Sequence, residues 1–383
     1  MLLTLQKKIN CCIFVFQNLN MAYPNDYENS VSDEEAPKPV QNEQKTNDEA
    51  TQQQEAVDED NDHFEDETLK FSIKQMCIDF YYLDKSKILW EMVFYFVVGH
   101  FFAVWGCYNF ISTRSYILSF IFNLFYGLFG AGLGVTMGLH RYFSHKSFEA
   151  RTSIKVLLML MNSIAFQESI YIWSRNHRVH HKWADTDRDF TNSRRGFFFA
   201  HMGWKMYEEH PQVQVGRELV PCNDLLNDRL VMFQHDYYYW ITIPMVFIIP
   251  TLIPVLFWEE PILISFTLSC FRLALSFHIT WCINSVAHLY GNKPYDKTIH
   301  AFESAALGMA ALGEGWHNFH HTFPRDYRAS EMNGWGVNLT TNVIELAAKY
   351  NLVYNLNRES DAAIEKRTQR TGNPAIRFRN TKT

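Results

Sequence analysis

YILSFIFNLFYGLFGAGLGVTMGLHRYFSH, residues 116–145, is the stretch on which the fold turns. Its first part, 116–139, carries no Asp, Glu, Lys or Arg. A helix needs about 20 apolar residues to cross a bilayer, so this run spans one. The span ends directly on His140-Arg-Tyr-Phe-Ser-His145, two imidazoles at a membrane boundary. One segment thus combines a membrane helix with candidate metal ligands.

Three further runs have the same character: 88–110, 239–258 and 261–283. The first pair of spans is joined by a short turn near Ser112–Ser115 and the second pair at Glu259-Glu260. Two tight hairpins place the N-terminal region, residues 140–238 and the C-terminal region on one side. Residues 140–238 hold 13 Lys and Arg, against Arg114 alone in the two short turns. The excess of positive charge predicts a cytosolic location for that side and for both termini. On this topology Asn338-Leu-Thr, an acceptor pattern for glycosylation, is never modified. Residues 152–168 and 297–313 are apolar but shorter or interrupted, and read as interfacial helices or core helices under the cytosolic part. The expected fold class is therefore an all-α integral membrane protein, with four transmembrane helices and a cytosolic helical cap.

Outside the spans, residues 1–67 are polar and acidic and read as a disordered tail, with too few apolar side chains to offset chain entropy. Within it Cys11-Cys12-Ile-Phe-Val-Phe16 is too short to span, and no signal peptide is assigned; translation starting at Met21 is an alternative. Residues 68–355 form the main domain and 356–383 a basic tail. The net charge is −6, with no long basic tract, which argues against nucleic acid as a partner. Seven cysteines form no CxxC pair and no disulfide framework, consistent with reduced thiols.

Sixteen histidines are present, and nine fall into clusters. They are His140 and His145, then His177-Arg-Val-His180-His181, then His288 behind Asn284, then His317-Asn-Phe-His320-His321. On a helix, positions i, i+3 and i+4 share an arc of about 100°, so each HxxHH box is expected to aim three imidazoles at one point. Asn284 and His288, at i and i+4, share a face. His140 and His145, at i and i+5, do not, which predicts a helix end or a bend between them. One structural zinc needs four ligands. Nine imidazoles suffice for two metals with open positions, and imidazole suits iron, copper, zinc and nickel. The absence of HExxH disfavours zinc hydrolysis, and two open redox metals beside a membrane suggest oxygen activation. The remaining histidines lack such spacing and are read as structural; His278, inside the fourth span, needs a partner there.

The segments HRYFSH, HRVHHKWADTD, NSVAHLYGNKPYDK and EGWHNFHHTFPRDYRASE resemble those of the membrane acyl-CoA desaturases of the stearoyl-CoA (delta-9) type, over roughly residues 70–355. The resemblance implies a di-iron centre held by His140, His145, His177, His180, His181, His288, His317, His320 and His321, with Asn284 reaching one iron through a water. It implies insertion of a cis double bond, commonly at C9–C10, into a saturated long-chain fatty acyl-CoA with O2. Electrons would come from cytochrome b5 and its NADH-dependent reductase; no His-Pro-Gly-Gly motif occurs, so the b5 is a separate chain. The endoplasmic reticulum membrane is the implied location. Gln167, Trp173, Thr280 and Trp281 match residues that bend the acyl chain beside the metals, although either Trp could equally be an interfacial anchor. Leu124 and Leu128 are candidates for the closed end of the tunnel.

The chain also departs from that pattern. A basic pair expected to meet the CoA phosphates is Glu208-Glu209, and two carboxylates there repel phosphate. Asn176 replaces an Asp, Glu168 an Asn, and Asp189-Phe-Thr-Asn192 an Asp-Pro-His-Asn run. Arg175 and Asn176 remain candidates near the headgroup, with Arg194 and Arg195. Carboxylates that could orient the imidazoles are Glu168, Asp185, Asp187, Asp189, Glu303 and Glu314, and the sequence does not choose among them. Three rivals stand beside the acyl-CoA desaturase: a membrane hydroxylase, a desaturase of a non-CoA acyl lipid, and a catalytically silent lipid-binding homologue.

Overall fold

A computed structural model describes residues 84–113 and 116–377. The acidic tail 1–67, Met21 and Arg114 lie outside the described residues. The chain divides into two units, Met1–Glu67 and Thr68–Thr383, and the described residues all belong to the second.

Among the described residues, four helices are long and apolar enough to cross a membrane. They are α1 (Trp90–Thr113), α2 (Ile117–Ser144), α8 (Tyr238–Trp258) and α9 (Ile262–Leu289). Between them lie α3 (Thr152–Ala165), α4 (Ile170–Lys182), α5 (Phe197–His201), α6 (Pro211–Glu218) and α7 (Arg229–Asp236). After the last span come α10 (Ala305–Ala310), α11 (His317–Thr322), α12 (Leu339–Lys349) and α13 (Asp361–Thr371). A two-residue antiparallel pair, β1 (Glu149–Ala150) and β2 (Val353–Tyr354), ties the exit of α2 to the C-terminal part.

The spans lie close to the apolar runs in the sequence, with one consequential difference. Helices α2 and α9 continue beyond the apolar stretch, to Ser144 and Leu289. The continuations are more polar, and they carry His140, Asn284 and His288 beyond the apolar stretches on continuous helix.

Burial in the spans is inverted, as a lipid solvent requires. On α1, Trp90, Phe94, Val97, Phe101, Val104, Tyr108 and Ile111 alternate at steps of four and three and are all exposed. The opposite side is close-packed. A Cβ on Gly106 would lie 2.3 Å from the Thr267 carbonyl oxygen of α9, so only glycine permits that approach. Gly134 of α2 does the same against the Met161 backbone of α3, where a Cβ would lie 2.4 Å from the Met161 carbonyl carbon. Residues 152–165 are thus a core helix packed on α2. A break at Phe166–Ser169, with Phe166 and Glu168 at positive φ, then turns α4 by 82°. That corner swings the second histidine box toward the exit of α2. The shared core runs through Leu139, Phe143, Leu158, Ile170, Val179, Val231 and Ile344. Within the basic segment 356–383, Arg367 of α13 pairs with Asp296, and Arg377 with Glu331 and Glu365.

Candidate metal centre and its cavity

The nine clustered histidines converge. Their ligating nitrogens form two groups, each with all atoms within 4.8 Å of one another: His140, His145, His177, His181 and His320, and then His180, His288, His317 and His321. The expectation that each HxxHH box aims at one point is corrected. Within each box, i and i+4 enter one group and i+3 enters the other, because i and i+4 lie about 40° apart on a helix while i+3 and i+4 lie about 100° apart. α4 sends His177 and His181 to the first group and His180 to the second. α11 reverses the assignment, with His317 and His321 in the second group and His320 in the first. Two facing helices with opposite assignments build two adjacent centres from two copies of one motif.

The helix ends between His140 and His145, at Ser144 with His145 as its cap, and its last turns also change their winding. Residues Gly134–Ser144 form a π-helix, and the His145 N–H donates to the His140 carbonyl at 3.2 Å. In π winding i and i+5 are stacked neighbours, and the two rings lie 4.9 Å apart.

Three carboxylates fix the imidazoles from behind. Glu314 faces His140 Nδ1 at 2.8 Å, Asp189 faces His180 Nδ1 at 2.8 Å, and Asp185 faces His288 Nδ1 at 2.9 Å. Each acceptor holds the proton on Nδ1 and leaves the Nε2 lone pair free. The Asp185 carboxyl, although burial opposes its charge, is held well below the usual range by His288 and by the Ser193 N–H. Glu314 is likewise lowered against burial, by Arg141 and His140. Burial and neighbouring histidines keep His145, His177, His181, His317, His320 and His321 well below the ordinary imidazole range, hence neutral.

Where the proton sits on Nδ1, facing Nε2 atoms present lone pairs to one another, and close pairs of this kind call for a cation. His140 Nε2 lies 2.8 Å from His320 Nε2, His320 Nε2 2.9 Å from His181 Nε2, and His288 Nε2 3.0 Å from His317 Nε2. Imidazole binds metals at about 2.0–2.1 Å, so two donors at right angles on one ion would lie about 3 Å apart. The residues present therefore fit two metal ions with all-nitrogen donors.

Beside the centre lies a cavity of about 220 Å3 that reaches His140, His177 and His317 at one end and Asn123 and Leu124 at the other. Along α2 that separation is on the order of 20–25 Å. Leu124, Leu128, Trp173, Thr280 and Asn284 all line it. Trp173 stacks on His177, with centroids 4.8 Å apart at 20°. Gln167 Nε2 donates to Thr280 Oγ1 at 2.8 Å, tying the α3–α4 corner to α9. Trp281 does not line the cavity; it stacks on Phe277 and meets Phe96 edge-on. Arg175 lies over the Tyr171 ring, 5.2 Å from its centroid. Asn176 accepts from Arg217 Nε at 2.9 Å, and Arg217 grips Glu209 through two contacts of 2.6 Å. Glu168 pairs with Lys205. The Glu209 charge is thus answered within the chain.

One residue at the site is not singled out by the spacing of the histidines. Arg141, 1% exposed, donates to Glu314, to the Tyr327 carbonyl and to Thr341 Oγ1. His278 finds its partners in His100 at 3.0 Å and His201 at 2.9 Å. Asn338 is fully buried, caps α12 by accepting the Thr341 N–H, and donates to the Arg328 carbonyl. Glu303 orients none of the imidazoles through a carboxylate contact; it accepts the Phe319 N–H at 3.3 Å inside the fourth histidine box.

Burial raises the Glu303 carboxyl to about 8. A carboxyl raised on folding contributes stability that is complete below its unfolded value near 4.3 and is lost as pH rises through the folded value. The thermal midpoint of the wild-type protein should therefore fall between pH 6 and pH 9. Glu303→Gln, which mimics the neutral acid, should hold its midpoint over that interval. Equal losses in the two proteins would remove Glu303 as the cause.

A family model described as fatty acid desaturase matches residues 114–330. Delta(9)-fatty-acid desaturase fat-6 of Caenorhabditis elegans is 44% identical over 289 residues, 75% of this chain and 84% of that protein. Stearoyl-CoA desaturase of Bos taurus is 43% identical over 289 residues, 75% of this chain and 79% of its own. Acyl-CoA Delta12-desaturase of Acheta domesticus is 41% identical over 292 residues, 75% of this chain and 80% of its own.

Proposed function

Since the chain belongs to the fatty acid desaturase family, we propose that it is a multi-pass membrane acyl-CoA desaturase that uses O2 to insert a cis double bond at C9–C10 of a saturated long-chain acyl-CoA. The observation that carries this reading is continuity: one cavity joins three of the nine histidines to residues deep in the helix bundle. A saturated alkyl chain offers no polar handle, so it is positioned by shape alone.

The two ions are iron, held by the nine histidines in the groups described. When bound, the pair supplies the oxygen-dependent removal of one hydrogen from each of two neighbouring carbons, with water as the other product. The chain's own part is positioning and exclusion. Trp173, stacked on His177, walls the cavity beside the ligands. The Gln167–Thr280 hydrogen bond ties the α3–α4 corner to α9 where the chain would pass the centre. Burial of the histidines keeps bulk water from the reacting carbons. Asp185, Asp189 and Glu314 hold protons on Nδ1 and so keep Nε2 available as a donor.

Electrons come from a separate cytochrome b5 and its NADH-dependent reductase. The protein resides in the endoplasmic reticulum membrane, with the histidine side and both terminal regions in the cytosol, as the Lys and Arg excess over 140–238 supports.

Expression in yeast lacking its own desaturase tests the reading. Gas chromatography–mass spectrometry should find new monoenes that are missing with His317→Ala, and derivatised products give the double-bond position. A hydroxylated product without an alkene would make the chain a hydroxylase. No new product from well-expressed, iron-loaded protein would overturn the acyl-CoA reading, and Glu208 and Glu209 would be the first positions to return to basic residues.

A further inference from the structure

We propose that the inner end of the cavity is a polar subsite for an acyl chain bearing a hydroxyl group near its methyl end; this rests on the desaturase reading. A cavity made only for a hydrocarbon tail should end in apolar side chains, because an unpaired polar group in the bilayer interior is costly. This one ends on Asn123 and Arg272, both 2% exposed and both lining it. The Asn123 amide is oriented by its own helix, since Nδ2 donates to the Ser119 carbonyl at 3.0 Å. That leaves Oδ1 as a buried acceptor without a partner. Arg272 gives one terminal nitrogen to the Val246 carbonyl at 2.7 Å and the other to the Ile164 carbonyl at 3.4 Å. Its Nε is a buried donor without a partner.

The two orphans line one cavity. Gly127 lets Arg272 lie against α2, where a Cβ would be 3.1 Å from Arg272 Cγ. Asn123 sits one turn away from Gly127 on the same face. The pair thus offers one acceptor and one donor. A hydroxyl answers both, donating to Asn123 Oδ1 and accepting from Arg272 Nε. A carboxylate would face the Asn123 oxygen and an ammonium the guanidinium. An alkane leaves both groups unpaired. Below them the bundle is already closed and satisfied: Ser119 Oγ donates to Glu260 and accepts from Trp258 Nε1. Asn123 is therefore the last polar group an incoming chain meets.

The test is competition on the purified, metal-loaded protein with its electron donors. Each saturated acyl-CoA from hexadecanoyl to eicosanoyl is paired in equal amount with its ω-hydroxy counterpart. At the chain length that reaches Asn123, the hydroxylated substrate should win by about tenfold, as two satisfied hydrogen bonds allow. In Asn123→Leu the ratio should fall to about one or below. Plain chains desaturated with no hydroxylated chain preferred, as for a subsite that merely holds a water, would overturn the subsite and leave the desaturase reading standing. A preference that survives in Asn123→Leu would also overturn it. Turnover of neither substrate would overturn the desaturase reading. Thermal stabilisation by ω-hydroxyacyl-CoA over the plain ester would then decide the subsite separately.

Discussion

His320→Ala is expected to abolish desaturation and to lower bound metal from two equivalents toward one. His320 Nε2 stands between His140 Nε2 at 2.8 Å and His181 Nε2 at 2.9 Å, so its loss opens the middle of the five-histidine group. Removing a residue that only orients a ligand costs about 10–100-fold in affinity or activity, and removing the ligand itself should cost more. The two groups share the α4 and α11 frameworks but no side chain. The second ion should therefore remain when the first is lost. Metal content by plasma mass spectrometry and monoene yield by gas chromatography read the two effects independently. Full metal occupancy in the variant would show that His320 is not a ligand.

Arg141→Met should produce the largest loss of stability. The guanidinium is buried, with Glu314, the Tyr327 carbonyl and Thr341 as partners. It joins the polar end of α2 to the C-terminal part of the cap. Methionine keeps most of the volume but strands the Glu314 carboxylate in the interior. Breaking one side of a buried pair typically costs about 3–5 kcal/mol. At roughly 1–2 °C per kcal/mol for a folded unit of this length, the midpoint of the detergent-purified protein should fall on the order of 5 °C. Arg141→Lys keeps the charge without the planar fork, and recovers part of the loss. A midpoint unchanged by methionine would mean that Glu314 finds another partner.

The four spans were legible because a bilayer imposes length and apolarity on every crossing segment, and both are local properties of sequence. The nine histidines were legible because their spacing matches a helical face and recurs beside the spans. Where those spans stop chemically was less legible. Continuing α2 and α9 to Ser144 and Leu289 adds polar residues, which look like loop in a hydropathy reading. The π winding at Gly134–Ser144 was hidden for a different reason. It coincides with the close approach of α3 to α2 at Gly134, a tertiary contact.

Sequence alone determined the membrane class, the four crossings, the residues able to bind metal and the likeness to a family, since each follows from local composition or motif. Only the tertiary structure decided which histidine joins which centre. The choice of Asp185, Asp189 and Glu314 from six candidate carboxylates also waited for it, as did the turning of Trp281 away from the cavity and the placing of Asn123 and Arg272 along it. The physical reason is the same in each case. A side chain's chemistry is written in its own position, but its partner is set by how distant helices pack.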